Sequence, residues 1–260
     1  MAEFLHRDVP ALKQARFFRL GLAPSFGIDE RGVEEGLERI QYVFWNPRAK
    51  KMTGPLRAAL RRDRGRYVVA GGPTLAYFPG QLARYVDRAR KVLGTDYLDV
   101  LQLYWYGVMS RWSKGMVEEL VRLRESGAVK GLAISIHDRK RAGELALDSP
   151  LDLLMIRYNA AHPGAEGDVF PHLARRHPAV VAYTATSWRR LLRPPSGWTG
   201  RAMTAGDCYR FCLSSPHVDV VLTGPKDVEE LRQNLAALEQ GPLSEEEAGW
   251  MRRYGAQVHG

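Results

Sequence analysis

Polar side chains that could take part in proton transfer or substrate binding follow several short apolar runs of the sequence. Tyr104, His137 and Arg157 stand at or just after the ends of three such runs, and Arg48 lies in the loop after an earlier one. A phenol can donate a proton, an imidazole can donate or accept one, and a guanidinium can polarise an oxygen atom. The pattern predicts a polar, reactive site if these runs end at one place.

Further candidates lie close to the same run ends. Asn159 and His162 belong to the loop after the sixth run, and Trp45 and Trp105 follow the second and fourth runs. We expect these four side chains to contact the substrate, and the aromatic rings favour an apolar or aromatic compound. His137 and His162 could meet across adjacent loops, but no acidic residue accompanies them at ligand spacing, so no metal site is predicted.

A phosphate site is predicted near the C-terminus. Gly224-Pro225-Lys226 follows an apolar run and precedes a helical pattern. Free backbone N–H groups and the helix dipole at such a position favour an anion, and Lys226 adds a cation. A strand-to-helix turn with a solvated lysine is the alternative interpretation.

Eight strands must bring these groups together. Several of the apolar runs lack polar alternation, which is typical of strands buried on both faces of a parallel sheet. Each run is followed by a helical pattern, and this count predicts a (β/α)8 TIM barrel, a single domain over residues 1–260, whose strands end on one face. The predicted strands are Phe17–Leu22, Ile40–Phe44, Tyr67–Gly71, Leu98–Tyr104, Lys130–Ser135, Leu151–Arg157, Ala179–Tyr183 and Val218–Thr223.

One helix more than the barrel needs is predicted at the C-terminus. It opens with Ser244 and Glu247, the spacing of a capping box, and Thr204 with Asp207 has a similar spacing. The predicted helices are Asp29–Glu38, Thr53–Arg62, Pro79–Leu93, Lys114–Ser126, Asp138–Leu147, Gly167–Arg176, Thr204–Ser214, Lys226–Glu239 and Ser244–Tyr254.

Composition limits the classes of partner. The net charge of +9 comes from cations spread along the 260 residues, without a nucleic-acid-binding motif, so no nucleic acid is expected. No run is long enough to span a membrane, and no signal peptide is recognised. Cys208 and Cys212 lack redox or zinc spacing and are expected to be buried thiols. We expect a cytoplasmic protein with a small-molecule substrate and no membrane contact, as a monomer or weak homodimer.

Four segments, in order, resemble the aldo-keto reductase superfamily. Together they cover most of residues 93–240, whereas residues 1–92 are similar only in pattern. The segments are Leu93–Leu103 (LGTDYLDVLQL), Leu123–Ser135 (LRESGAVKGLAIS), Val181–Thr184 (VAYT), and Leu222–Lys226 (LTGPK) with Glu229–Asn234 (EELRQN).

The resemblance implies an oxidoreductase that uses NADP(H). Gly224 and Lys226 would face the 2′-phosphate, while Tyr183 would stack on the nicotinamide. The residues implied as cofactor contacts are Ser135, Tyr183, Thr184, Gly224, Lys226, Glu230 and Asn234.

The sequence departs from the family at its catalytic Asp, Tyr, Lys and His. These positions fall at Phe44, near Ala49, at Gly72 and at Tyr104. Because no Lys lies near the third strand and no His near the fourth, a small alignment shift does not restore the set. The expectation is an atypical reductase in which Tyr104 donates the proton and an arginine orients the substrate.

Two other functions remain open at this point. The missing set is compatible with a non-redox enzyme, such as a lyase, dehydratase or isomerase, that uses His137, Arg157 and His162. It is also compatible with a non-catalytic nucleotide-binding protein, because a barrel by itself does not define a chemistry.

Overall fold

Eight parallel strands close on one another as a barrel in the computed structural model of this chain, which describes residues 2–259. β3 pairs with both β4 and β10, and each later strand pairs with the next, so the predicted TIM barrel is confirmed. The strands are β1 His6–Val9, β2 Gln14–Phe18, β3 Leu20–Leu22, β4 Tyr42–Phe44, β5 Val68–Gly71, β6 Leu98–Leu103, β7 Val129–Ile136, β8 Leu153–Arg157, β9 Ala179–Tyr183 and β10 Val220–Thr223.

Helices follow the barrel strands, and the extra C-terminal helix is present. Short 3-10 helices cover Pro10–Leu12, Arg64–Arg66, Phe170–Arg175 and Arg190–Leu192. The α-helices are α1 Ala2–Leu5, α2 Glu30–Arg39, α3 Lys50–Arg62, α4 Gln81–Leu93, α5 Lys114–Glu125, α6 Arg139–Leu147, α7 Ala165–Asp168, α8 Ala205–Ser214, α9 Val228–Leu238 and α10 Glu245–His259.

The apolar strands separate two hydrophobic cores. Side chains such as Val68, Val100 and Val181 fill the interior of the barrel. Their neighbours in sequence, for example Val69 and Leu101, point outwards and pack against the helices. Successive side chains of a strand face opposite sides, so strands buried on both faces need continuous apolar sequence, as predicted.

Side-chain caps fix where many helices begin, and hence where the preceding loops end. Asp29, Ser113, Asp138 and Asp227 each accept a hydrogen bond from a backbone N–H of the following helix. Both sequence-predicted capping boxes form, Thr204 with Asp207 and Ser244 with Glu247.

An antiparallel hairpin of β1 and β2 was not predicted and lies before the barrel. The predicted strand Phe17–Leu22 is wrong as a single element, because the chain divides at Arg19 into β2 and β3. The buried Arg19 guanidinium donates to the carbonyl oxygens of Phe4, Leu213 and Val218. Phe17 and Val9 of the hairpin join the core inside the barrel.

The predicted helix Gly167–Arg176 is also wrong as one regular helix. The chain forms the short helix α7 and then a 3-10 helix over Phe170–Arg175. Pro171 stands at the start of this second piece and has no N–H group to donate to a preceding carbonyl. Both thiols, Cys208 and Cys212, are buried as expected, and burial raises the pKa of each.

Candidate functional site

The carboxyl ends of the barrel strands surround a cavity of about 510 Å³. Its aromatic lining comes from Phe26, Phe44, Tyr104, Trp105, Tyr183 and Trp188. Other polar groups at its wall include Ser135, His137, Arg157 and Thr184. Within the described part of the chain, no acidic side chain lines this cavity. It therefore has an apolar body with a small number of placed polar groups, which is the usual composition of a small-molecule site.

Tyr104 follows β6 and presents its phenol to the cavity. Its oxygen accepts a hydrogen bond from the backbone N–H of Gly72 at 3.1 Å, and its ring lies 5.4 Å from that of Phe44. Among residues 2–259 the Tyr104 hydroxyl hydrogen has no acceptor, so it is available to a bound molecule. Burial raises the pKa of Tyr104 above its ordinary value of 10, so the phenol stays protonated at neutral pH.

Gly72 directly follows β5 and packs against the backbone of β6. A Cβ atom at this position would stand 1.7 Å from the carbonyl oxygen of Gln102, so the backbone leaves no room for a side chain. No lysine can therefore occupy this position in the present backbone. Phe44, at the position expected for an aspartate, lines the cavity, while Ala49 packs against the outer core.

Three neighbouring strands end in a polar group of His137, Arg157 and Tyr183. The Tyr183 hydroxyl lies 2.7 Å from Nε2 of His137, and Tyr183 stands opposite Arg157 in the register of β8 and β9. Burial and the charge of Arg157 lower the pKa of His137. Burial raises the pKa of Tyr183 to about 12, against the opposing effects of the Ser135 hydroxyl and Arg157. A neutral imidazole thus stands beside a protonated phenol, an arrangement that can relay a proton.

A second cavity of about 200 Å³ lies at the N-terminus of α9. It adjoins the first, because Phe26, Thr186, Tyr209 and Gly224 line both. Gly224 approaches Ser25 so closely that a Cβ at Gly224 would lie 2.8 Å from Ser25 Cβ. The two cavities thus lie side by side, one at the barrel mouth and one at the start of a helix, with these four residues as their shared wall.

Glu230 binds the cationic groups at this helix start. Its carboxylate accepts two hydrogen bonds of 3.0 Å from Arg189 and one of 2.9 Å from the Lys226 backbone N–H. Lys226 Nζ lies 3.7 Å from Oε1 of Glu230, and Asp227 accepts from the Glu230 N–H. Asn234, also at this cavity, donates to Thr223 Oγ1 at 3.0 Å.

Most sequence-predicted residues line one of the two cavities, but five do not: Trp45, Arg48, Asn159, His162 and the exposed Lys226. Trp45 is fully buried and donates to Thr53 Oγ1, because it follows Phe44 and faces the other side of the strand. Arg48 is exposed in the loop after β4 and does not line either cavity. Asn159 is fully buried, where its amide donates to Thr184 O and its oxygen accepts from Ala161 N and contacts His162 Nδ1. Asn159 therefore joins its loop to the loop that contains Thr184, and neither Asn159 nor His162 lines the cavity.

Arg189 was not predicted, although it closes one side of the second cavity. The chain from Ser187 to Arg189 is left-handed, with φ of 49°, 55° and 67°, and the Arg189 guanidinium lies 4.5 Å from the ring centre of Phe26. A run of left-handed non-glycine residues has no sequence signal, because only Gly, Asn and Asp favour this conformation. The Arg189–Glu230 pair therefore could not be read from the sequence.

Within residues 2–259, no helix is both long and apolar enough to cross a lipid bilayer. The sequence matches no family model, and a comparison with curated proteins found no match.

Solved structures of aldo-keto reductases share the fold. The holo form of aldo-keto reductase AKR11C1 from Bacillus halodurans superposes with a TM-score of 0.77 at 20% identity, covering 96% of this chain and 95% of that one. An aldo-keto reductase from Klebsiella pneumoniae in complex with NADPH gives a TM-score of 0.77 at 19% identity, over 96% and 95%. The glycerol dehydrogenase AKR11B4 from Gluconobacter oxydans gives 0.76 at 15% identity, over 100% and 98%. The barrel thus has the aldo-keto reductase fold.

Proposed function

We propose that this protein is an NADP(H)-dependent oxidoreductase for a small apolar or aromatic substrate, with a proton donor unlike that of other aldo-keto reductases. The observation that carries the proposal is the pair of adjoining cavities, one at the barrel mouth and one at a helix N-terminus, which share four wall residues. A dinucleotide needs an elongated site of this kind, with one end for the reacting ring and one for the adenosine. The similar Klebsiella pneumoniae structure contains NADPH.

The residues of the second cavity fit the phosphate-bearing end of the cofactor. Gly224 allows close approach of a ligand to the backbone, and Lys226 and Arg189 supply cations beside it. Asn234 lies at the wall for a contact with the adenine. The carboxylate of Glu230 already binds both cations. A phosphate must therefore displace this carboxylate from Arg189 and Lys226, or share the two cations with it.

The residues of the first cavity fit the nicotinamide and the substrate. Tyr183 presents a ring to the cavity, and Ser135 and Thr184 stand beside it with polar groups for the carboxamide. Bound NADPH would supply a hydride to the substrate. Tyr104 would donate the proton to the substrate oxygen, because its hydrogen has no acceptor within the described chain, and Arg157 would orient the substrate.

A direct titration of the protein with NADPH, NADP⁺ and NADH by calorimetry tests this function. Micromolar binding of NADPH, with weaker binding of NADH and a loss of that preference in Lys226→Ala, is the expected result. Failure of all three dinucleotides to bind at millimolar concentration would rule the function out.

A non-redox enzyme is the second candidate, and the bond between Tyr183 and His137 is the observation that favours it. This pair with Arg157 could move protons on a substrate without a cofactor. Such an enzyme would convert its substrate with no change in NADPH absorbance. Consumption of one NADPH for each substrate molecule would exclude this candidate.

A further inference from the structure

Arg157 is a cation without a counter-ion in the first cavity. It ends β8, lines the cavity, and makes no ion pair or side-chain hydrogen bond within residues 2–259. Three other arginines near the ends of helices or loops each have a carboxylate partner: Arg64 with Asp99, Arg139 with Asp168, and Arg189 with Glu230. The contrast indicates that the partner of Arg157 is not part of this chain.

The neighbours of Arg157 do not supply a negative charge. His137 and Tyr183 flank it on the adjacent strands, and both are neutral at pH 7, since the pKa of His137 is lowered and that of Tyr183 is raised. The remaining lining is largely aromatic and aliphatic. A lone charge in such surroundings is costly unless a ligand of opposite charge completes the site.

The aromatic and aliphatic side chains that line the cavity suit the apolar body of an acid. Tyr104 and Trp105, which follow β6, line the same cavity, and Met155 lines it from two residues before Arg157 on β8. A guanidinium can bind a carboxylate through two parallel hydrogen bonds, which fixes its plane as well as its position.

We propose that Arg157 anchors a substrate carboxylate, so that the cavity accepts small acids with a flat aromatic or apolar body. The proposal rests on the proposed function only in taking this cavity as the substrate site. It narrows the substrate class from apolar or aromatic compounds to their carboxylates.

Calorimetric titration with benzoate and with benzamide, its neutral counterpart of equal shape, tests the proposal without a known substrate. We expect the full-length protein to bind benzoate more tightly than benzamide. Added salt should weaken the binding of benzoate but not that of benzamide. Arg157→Met is expected to weaken benzoate binding by about ten- to a hundredfold and to leave benzamide binding unchanged. Arg157→Lys keeps the charge without the paired geometry and is expected to lie between the two.

Arg62→Met is the matched control. Arg62 is exposed at the end of α3, and its substitution removes the same single positive charge as Arg157→Met. Absent benzoate binding, equal binding of benzoate and benzamide, or unchanged benzoate binding in Arg157→Met would each overturn the proposal. A loss of NADPH affinity in Arg157→Met with benzoate unaffected would also overturn it, because the arginine would then serve the dinucleotide. If the protein binds no dinucleotide but benzoate still depends on Arg157, the proposed function fails and this site remains.

Discussion

The hydroxyl of Tyr183 and Nε2 of His137 lie 2.7 Å apart at the mouth of the barrel. The two residues come from strands β7 and β9, which are separated by β8, and Arg157 of β8 stands between them. This contact orients the Tyr183 ring in the cavity and keeps the imidazole beside a positive charge, where it favours its neutral form.

The first prediction concerns how His137 changes the stability of the folded protein below neutral pH. Burial and Arg157 lower the pKa of folded His137 below the ordinary 6.5, so the unfolded chain takes up this proton first as the pH falls. The contribution to stability is therefore complete above about pH 6.5 and is lost as the pH falls from there towards the folded pKa. Thermal unfolding of the wild type and His137→Gln between pH 8 and pH 5, at about half-unit steps, measures it.

The difference in stability between the wild type and His137→Gln at each pH isolates the contribution of His137, because the other ionisable groups are common to both proteins. We expect the wild type to lose more stability than His137→Gln as the pH falls below 6.5. Parallel curves for the two proteins over this range would contradict a lowered pKa.

The second prediction concerns Tyr104 as the proton donor. Tyr104→Phe removes the hydroxyl but keeps the ring that packs against Phe44, so turnover should fall by about 10²- to 10⁴-fold while the Kd of NADPH stays unchanged. Steady-state kinetics and a parallel binding titration measure the two quantities. Tyr106→Phe, two residues further and outside the cavity lining, is the control. Full activity in Tyr104→Phe would transfer the role to another group.

The third prediction follows from the raised pKa of the same phenol. No lysine can stand at Gly72 to lower it, and burial moves the pKa of Tyr104 upwards from 10. The acid form therefore persists as the pH rises and is lost only above the ordinary range of a tyrosine. The profile of kcat/KM should show no decline caused by this group between about pH 7 and 9.5. A decline centred near pH 8 that is absent from the residual activity of Tyr104→Phe would show that the phenol is tuned after all.

Strand ends were predictable from the sequence, but the side on which each residue lies was not. The ends of β4, β6 and β8 fell within a residue of their predicted positions, which brought Tyr104 and Arg157 into the cavity. The prediction that Trp45 contacts the substrate was wrong for a geometric reason. Successive side chains of a strand face opposite sides, so Phe44 lines the cavity and Trp45 packs in the core. The apolar sequence around them gives no polar–apolar alternation from which this phase could be read.

Loop contacts were the least predictable part of the site. Arg189 and Glu230 are 41 positions apart, and they meet only because the left-handed turn at Ser187–Arg189 aims the guanidinium at α9. Asn159 was recognised as polar and near the site, but its burial and its bonds to two loops depend on the paths of both loops. Types of residue and their order along the chain do not determine such paths.

The fourth prediction concerns the close approach at Gly72. Gly72→Ala would place a Cβ against the backbone carbonyl of Gln102, and because the Cβ has no rotatable bond of its own, the clash is relieved only by moving the backbone after β5 away from β6. We expect a loss of more than about 3 kcal/mol in the free energy of unfolding, or no folded protein. Gly249→Ala is the matched control: its Cβ would meet only the flexible end of Arg253, so a gain of about 0.5–1 kcal/mol is expected. Denaturant unfolding compares the two, and wild-type stability in Gly72→Ala would contradict the packing.

The fifth prediction concerns Glu230, which holds both cations of the second cavity. In Glu230→Gln the carboxylate no longer competes with a phosphate for Arg189 and Lys226, so NADPH should bind about three- to tenfold more tightly. NADH lacks the 2′-phosphate and should change little, so the preference for NADPH should increase. Calorimetric titration of both dinucleotides measures the effect.

Glu229→Gln provides the matched control for this change. Glu229 is the adjacent acid in the first turn of α9, it is exposed, and it contacts Gln233 but neither cation. The substitution removes the same charge from the same helix turn, so a general electrostatic effect would appear in both variants. A gain confined to Glu230→Gln would mean that the carboxylate occupies the phosphate position, whereas a loss of NADPH affinity there would mean that Glu230 binds the adenine and is needed in its charged form.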